Sequence, residues 1–271
     1  MSEPCEALAA EAASRFRETQ GLGLAPIGDL VTLIEQSKGV DVAVIDAEGG
    51  DEHGVSMTDP VTGITMIAVA VLDNPMRWRS TLAHELGHLV FEDHAAQVNG
   101  TIPDDVERRA RAFARHVLLP LEAVMRFVTA PVDMATLSRL MQTFEVSPPI
   151  AAIQLREAGL IGEELCSQWR ELDVPEVATR FGWMDRYEAM QAESRQRRAP
   201  QRLLQRAIRG YVEGVVTLET LASIRGVTVD QMADELGGAG IKPSEFEQEP
   251  PRPPGSADSG PADLSWLDDL E

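Results

Sequence analysis

Two histidines four positions apart constrain this chain more than any other feature: His84 and His88 in Ser80-Thr81-Leu82-Ala83-His84-Glu85-Leu86-Gly87-His88-Leu89-Val90. With five His and 26 Glu in 271 residues, chance would give His-Glu-x-x-His about once in a hundred such chains. Residues four apart on an α-helix lie about 40° apart around the axis and one turn along it, so both imidazoles can hold one ion from one face. Glu85 sits about 100° around, beside that ion, where it can hold a water, take its proton during attack and pass the proton to a leaving amine. Leu82, Leu86, Leu89 and Val90 form a separate apolar stripe, so the helix can be buried on one side while presenting imidazoles on another. Small Ala83 and Gly87 on neighbouring turns leave room for another backbone to approach closely.

A catalytic zinc takes three protein ligands, so a third must exist beside the His pair. His94 lies six residues beyond His88, the spacing of a His-Glu-x-x-His-x-x-Gly-x-x-His site, but Phe91 stands where that pattern needs Gly to turn the chain back. Glu107 is the other candidate. It extends, by one turn, a stripe of Ala110, Phe113, Ala114, Val117 and Leu118, where a carboxylate needs a partner. Its alternative role is the third residue of a capping box begun by Asp104. Arg108, Arg109, Arg111 and Arg115 are expected on the solvated face of the same helix.

Around this centre the sequence reads as α+β. Helical spacing covers residues 3 to 19 and 26 to 38, with Gly39 stopping the second. Val40 to Ile45, Gly54 to Met57 and Gly63 to Leu72 read as strands, the last two joined by a turn at Thr58-Asp59-Pro60-Val61-Thr62-Gly63, which predicts a small antiparallel sheet. From Arg77 onward the chain reads as successive helices. The expected division is a domain over residues 1 to 130, a helical region over 131 to 240, and an acidic, Pro-rich, disordered tail over 241 to 271. Residues 263 to 271 place Leu264, Trp266, Leu267 and Leu270 among acids, a composition able to fold as a short helix in a partner's groove.

The residues around the centre carry a family resemblance. Thr81 to His88, followed by Glu107-x-x-Ala110-x-x-Phe113-Ala114 and Leu118-Leu119-Pro120, resemble the ImmA/IrrE family of zinc-dependent endopeptidases over about residues 25 to 160. The resemblance implies a gluzincin-like minimal protease, a zincin-type pair of helices packed on the sheet, with His84, His88 and Glu107 as ligands and Glu85 as general acid and base. It also implies a bacterial or phage cytoplasmic enzyme that cleaves helix-turn-helix repressors and so relieves repression in a stress response or a mobile element. Leu119 stands where the family often has Met, and the helix-turn-helix or sensor domain of longer members has no convincing counterpart here. Mn²⁺ could replace Zn²⁺ at a two-His, one-carboxylate site. A module that binds a repressor without hydrolysis, toxin-like or regulatory, would use the same fold.

Composition limits the rest. Twenty-four basic against 44 acidic residues leave a net charge of −20, which opposes phosphate backbones and anionic membranes. Six arginines between Arg195 and Arg209 are the local exception; beside the stripe of Leu203, Leu204, Ala207, Ile208 and Tyr211 they read as a solvated helix face. The segment from Met134 to Leu160 is similar to the helix-turn-helix-like piece that follows the protease core in the family; it offers only Gln154 and Arg156 for contacts to bases and reads as packing. No apolar run approaches the roughly 20 residues a membrane helix needs. The acidic N-terminus does not read as a signal peptide. Cys5 and Cys166 make no disulfide framework, so a reducing cytoplasm is expected.

Overall fold

The computed structural model describes residues 3–46, 54–93, 102–129 and 131–243. The acidic tail from residue 244 on, with its 263 to 271 segment, and His94 lie outside the described residues.

The fold is α+β, as read from the sequence, with most of its elements helical. Helix α1 spans Glu3–Thr19 and α2 spans Leu30–Lys38. The latter starts four residues later than its apolar spacing predicts, because the Asp29 side chain accepts from Thr32 N and caps it there. Gly39 ends it in the left-handed conformation at φ 61°, as expected. Strands β1 (Asp41–Ile45), β2 (Gly54–Thr58) and β3 (Thr65–Ala70) follow.

The sheet corrects the expectation of a purely antiparallel one. β2 and β3 form the antiparallel hairpin, but β1 pairs parallel to β3, and the order is β1-β3-β2. Local alternation marks strands and hairpins, whereas strand order follows burial. β3 reads Thr-Met-Ile-Ala-Val-Ala, apolar on both faces after its first residue, so it takes the centre. β2, with Val55 and Met57 exposed, is left at the edge.

Helix α3, Pro75–Val90, carries the His pair. Asn74 caps it by accepting from Arg77 N, and Pro75 occupies its first turn, where a missing amide costs nothing. Helix α4 spans Asp104–Leu118 and packs against both α1 and α3. Gly87 makes the second contact close: a Cβ there would lie 3.3 Å from the Cα of Ala110 and 3.1 Å from a Phe113 ring carbon. Arg79 fixes the other end of α3. It is buried, donates to the carbonyls of Ile27 and Gly28 at 2.5 and 2.8 Å, and pairs with Glu145 at 3.2 Å.

The remaining helices are α5 (Leu121–Phe127), α6 (Met134–Phe144), α7 (Pro148–Glu157), α8 (Glu163–Arg170), α9 (Val174–Phe181), α10 (Met184–Ser194), α11 (Gln201–Val212), α12 (Leu218–Arg225) and α13 (Val229–Gly238). One apolar core runs from Ala9 to Tyr187, and a second joins Ala207, Leu221, Ala222, Met232 and Leu236. Among the described residues no helix is long and apolar enough to cross a membrane.

Two arginine expectations change. Arg115 is buried rather than solvated and bonds Glu6 of α1 at 2.7 and 2.8 Å, while Arg109 turns inward toward Asp93. The cluster after α10 faces solvent, but not as free charge. Arg195 pairs with Asp73, Arg197 with Asp46, Arg198 with Glu35 and Arg202 with Asp41, so four of its six charges fasten α10 and α11 to the sheet side. Gln154 is fully buried and donates to the carbonyl of Leu119 at 2.5 Å, so it cannot reach a base.

Candidate metal centre

Helices α3 and α4 bring three donors to one point. His84 Nε2 and His88 Nε2 are 3.1 Å apart. Glu107 places Oε2 3.3 Å from the first and Oε1 3.4 Å from the second. Nitrogen and oxygen ligands at zinc distances around a tetrahedral ion lie about 3.3 Å from one another, so the triad fits such an ion without rearrangement. It is also a set of His, Cys, Asp or Glu donors within 4.8 Å of one another.

The capping alternative for Glu107 does not hold. Helix α4 starts at Asp104 itself, its N-cap is Pro103, and no side chain caps it. Glu107 instead sits one turn before Ala110, on the face where Gly87 admits the close approach. Glycine at 87 and alanine at 110 thus set the helix spacing that lets a carboxylate from one helix reach two imidazoles of the other.

Protonation favours ligation. Burial, reinforced by the charge of Arg111, pushes His84 down to about 4, which leaves a neutral ring at neutral pH. His88 Nδ1 lies 3.0 Å from Asp93 Oδ2; a carboxylate only accepts, so Nδ1 carries the proton and Nε2 offers its lone pair. His84 could then supply at most one proton among three converging acceptor atoms. A divalent cation would satisfy all of them.

Glu85 stands beside this point, 7% exposed. It is held against the edge strand. A Cβ on Gly54 would meet Thr81 Cγ2 at 2.7 Å and Glu85 Oε1 at 3.0 Å, so only glycine lets β2 lie this close. Burial raises the Glu85 carboxyl above its ordinary range, and Glu107 adds to the rise; the charge of His88 and the hydroxyl and amide of Ser56 act against it. A carboxylate with a raised pKa is suited to taking up a proton and giving it back near neutral pH.

Asp93 and Arg109 are the residues that spacing arguments missed. Asp93 lies five residues after His88, beyond the end of α3, and Arg109 lies two after Glu107 among arginines that look alike in sequence. An acid near the end of a helix bearing a His-Glu-x-x-His motif is a usable signal, since imidazole ligands need a partner for the second nitrogen.

The family model described as Peptidase_M78, IrrE N-terminal-like domain, matches residues 35–156. That stretch runs from α2 through the sheet, α3 and α4 to α7, so the resemblance to the ImmA/IrrE family holds over the segment that contains the triad. The matched family is one of peptidases, and with the triad it points to a metallopeptidase-type activity. No curated protein matches the chain.

Proposed function

We propose that this protein is a zinc-dependent endopeptidase acting on a helix-turn-helix transcriptional repressor, relieving repression in a stress response or a mobile element. The observation that carries the reading is the convergence of His84, His88 and Glu107 on one point within a peptidase-family segment. The repressor as substrate rests on the family resemblance.

In this reading His84, His88 and Glu107 hold the ion. Zinc bound there supplies Lewis acidity, polarising a scissile carbonyl and lowering the pKa of water. Glu85 takes the proton from the attacking water as the C–O bond forms at the carbonyl carbon, then delivers it to the amine as the peptide C–N bond breaks. β2 supports substrate binding: it is one of the sheet's two edge strands, and an extended peptide can add to such an edge through main-chain hydrogen bonds. Gly54 and Ser56 would then place that peptide beside Glu85.

The test is Glu85→Gln, which removes the proton acceptor and leaves the three proposed ligands intact. Incubated with helix-turn-helix repressors from the same genome, zinc-loaded wild type is expected to yield two fragments by mass spectrometry. The variant is expected to hold zinc and bind the same repressor without cutting it. Equal relief of repression by both proteins would instead mean binding without hydrolysis.

A further inference from the structure

We infer that Asp93 is a positioning residue of the metal site and that Arg109 holds it in place. The inference rests on His84, His88 and Glu107 being ligands. Asp93 enters the interior through a turn at Glu92, whose φ of 56° is one of two left-handed non-glycine backbones among the described residues. Such a backbone costs free energy without glycine, and what the turn delivers is a carboxylate whose side chain is 3% exposed.

Each oxygen of that carboxylate has its own donor. Oδ2 receives His88 Nδ1 at 3.0 Å, and Oδ1 is ion-paired with Arg109 from α4. The Arg109 guanidinium is itself fixed, lying 4.3 Å over the ring of Phe91. A buried carboxylate without a cationic partner is costly, and Arg109 supplies that partner on the side away from the imidazole. The His88 ring is thus held in one tautomer and one orientation, with Nε2 toward His84 and Glu107. Because Arg109 and Glu107 share α4, the same bridge ties the backbone of the third ligand to the end of the helix that bears the first two.

Asparagine tests this sharply. Both partners of Asp93 are donors, and an amide has one acceptor oxygen, so Asp93→Asn satisfies one partner and sets an NH₂ group against the other. Two readouts apply: the zinc dissociation constant, by competition with a chromophoric chelator, and the ¹⁵N shifts of the His88 ring in metal-free protein. Asp93→Asn is expected to weaken zinc about 10- to 100-fold and to lose the single Nδ1–H tautomer. Glu6→Gln, which cuts a different, partly buried ion pair of α4, is expected to change neither. If Asp93→Asn does not fold, Arg109→Gln decides, with an expected loss of affinity as the carboxylate loses its fixed position. Wild-type affinity and tautomer in the variant that folds would overturn the inference while leaving the ligand set standing. A wild type that takes up no zinc would overturn the ligand set and the inference with it.

Discussion

Gly87 of α3 lies so close to Ala110 of α4 that a Cβ on the glycine would stand 3.3 Å from both the Cα and the carbonyl oxygen of the alanine. This contact sets the reach of Glu107, one turn away, to His84 and His88. Gly87→Val is therefore expected to push the two helices apart. Overpacking costs typically about 1–3 kcal/mol; thermal unfolding of the metal-free protein measures it, and chelator competition is expected to show weaker zinc binding in the same variant.

Gly54 separates chemistry from metal binding. Its missing side chain leaves room for Thr81 and Glu85, and none of the three proposed ligands lies on β2. Gly54→Ala is expected to displace Glu85 and cut peptide hydrolysis by about 100-fold or more, the scale of a lost general base. Zinc content by atomic absorption is expected to stay at the wild-type level.

The convergence of the three donors was legible because most of it is local. His84, Glu85 and His88 follow from helical periodicity, and Glu107 from continuing a buried stripe by one turn. The parallel pairing of β1 was not legible, since nothing within Asp41–Ile45 says which strand will lie beside it. Arg115 and Glu6 are 109 positions apart, and no spacing rule links them. Asp93 depends on a left-handed turn at Glu92 and on one arginine chosen from four similar ones, both settled by tertiary packing.

Glu6 gives a pH dependence. Burial alone would raise its carboxyl, but the hydrogen bond with His116 and the Arg115 guanidinium bring it down to about 2 from 4.5. A depressed carboxylate adds stability that is complete above its unfolded pKa and is lost as pH falls from about 4.5 toward 2. Discounted for partial solvation, the contribution is about 1–2 kcal/mol. Urea unfolding is expected to show Glu6→Gln less stable than wild type by that amount at pH 6, and the gap narrowing as pH falls from about 4.5 toward 2.

The arginines after α10 act as fasteners. Glu35 and Asp41, each with a side chain 7% exposed, receive Arg198 at 2.7 Å and Arg202 at 2.8 Å. The double variant Arg198→Ala, Arg202→Ala takes the cationic partner from both carboxylates, leaving Glu35 only the amides of Val42 and Gln201, at a cost of about 1–3 kcal/mol each. Limited proteolysis is expected to cut between α10 and α11 several-fold faster, with zinc affinity unchanged.

Whether α3 and α4 together hold one metal ion is decided by the metal content of purified wild type, measured against His84→Ala, His88→Ala and Glu107→Ala. About one zinc per chain is expected in wild type, with its loss in all three variants. Metal retained by Glu107→Ala but lost by His94→Ala would contradict it, because the third ligand would then come from the α3 side and the Gly87 contact would not have assembled the site.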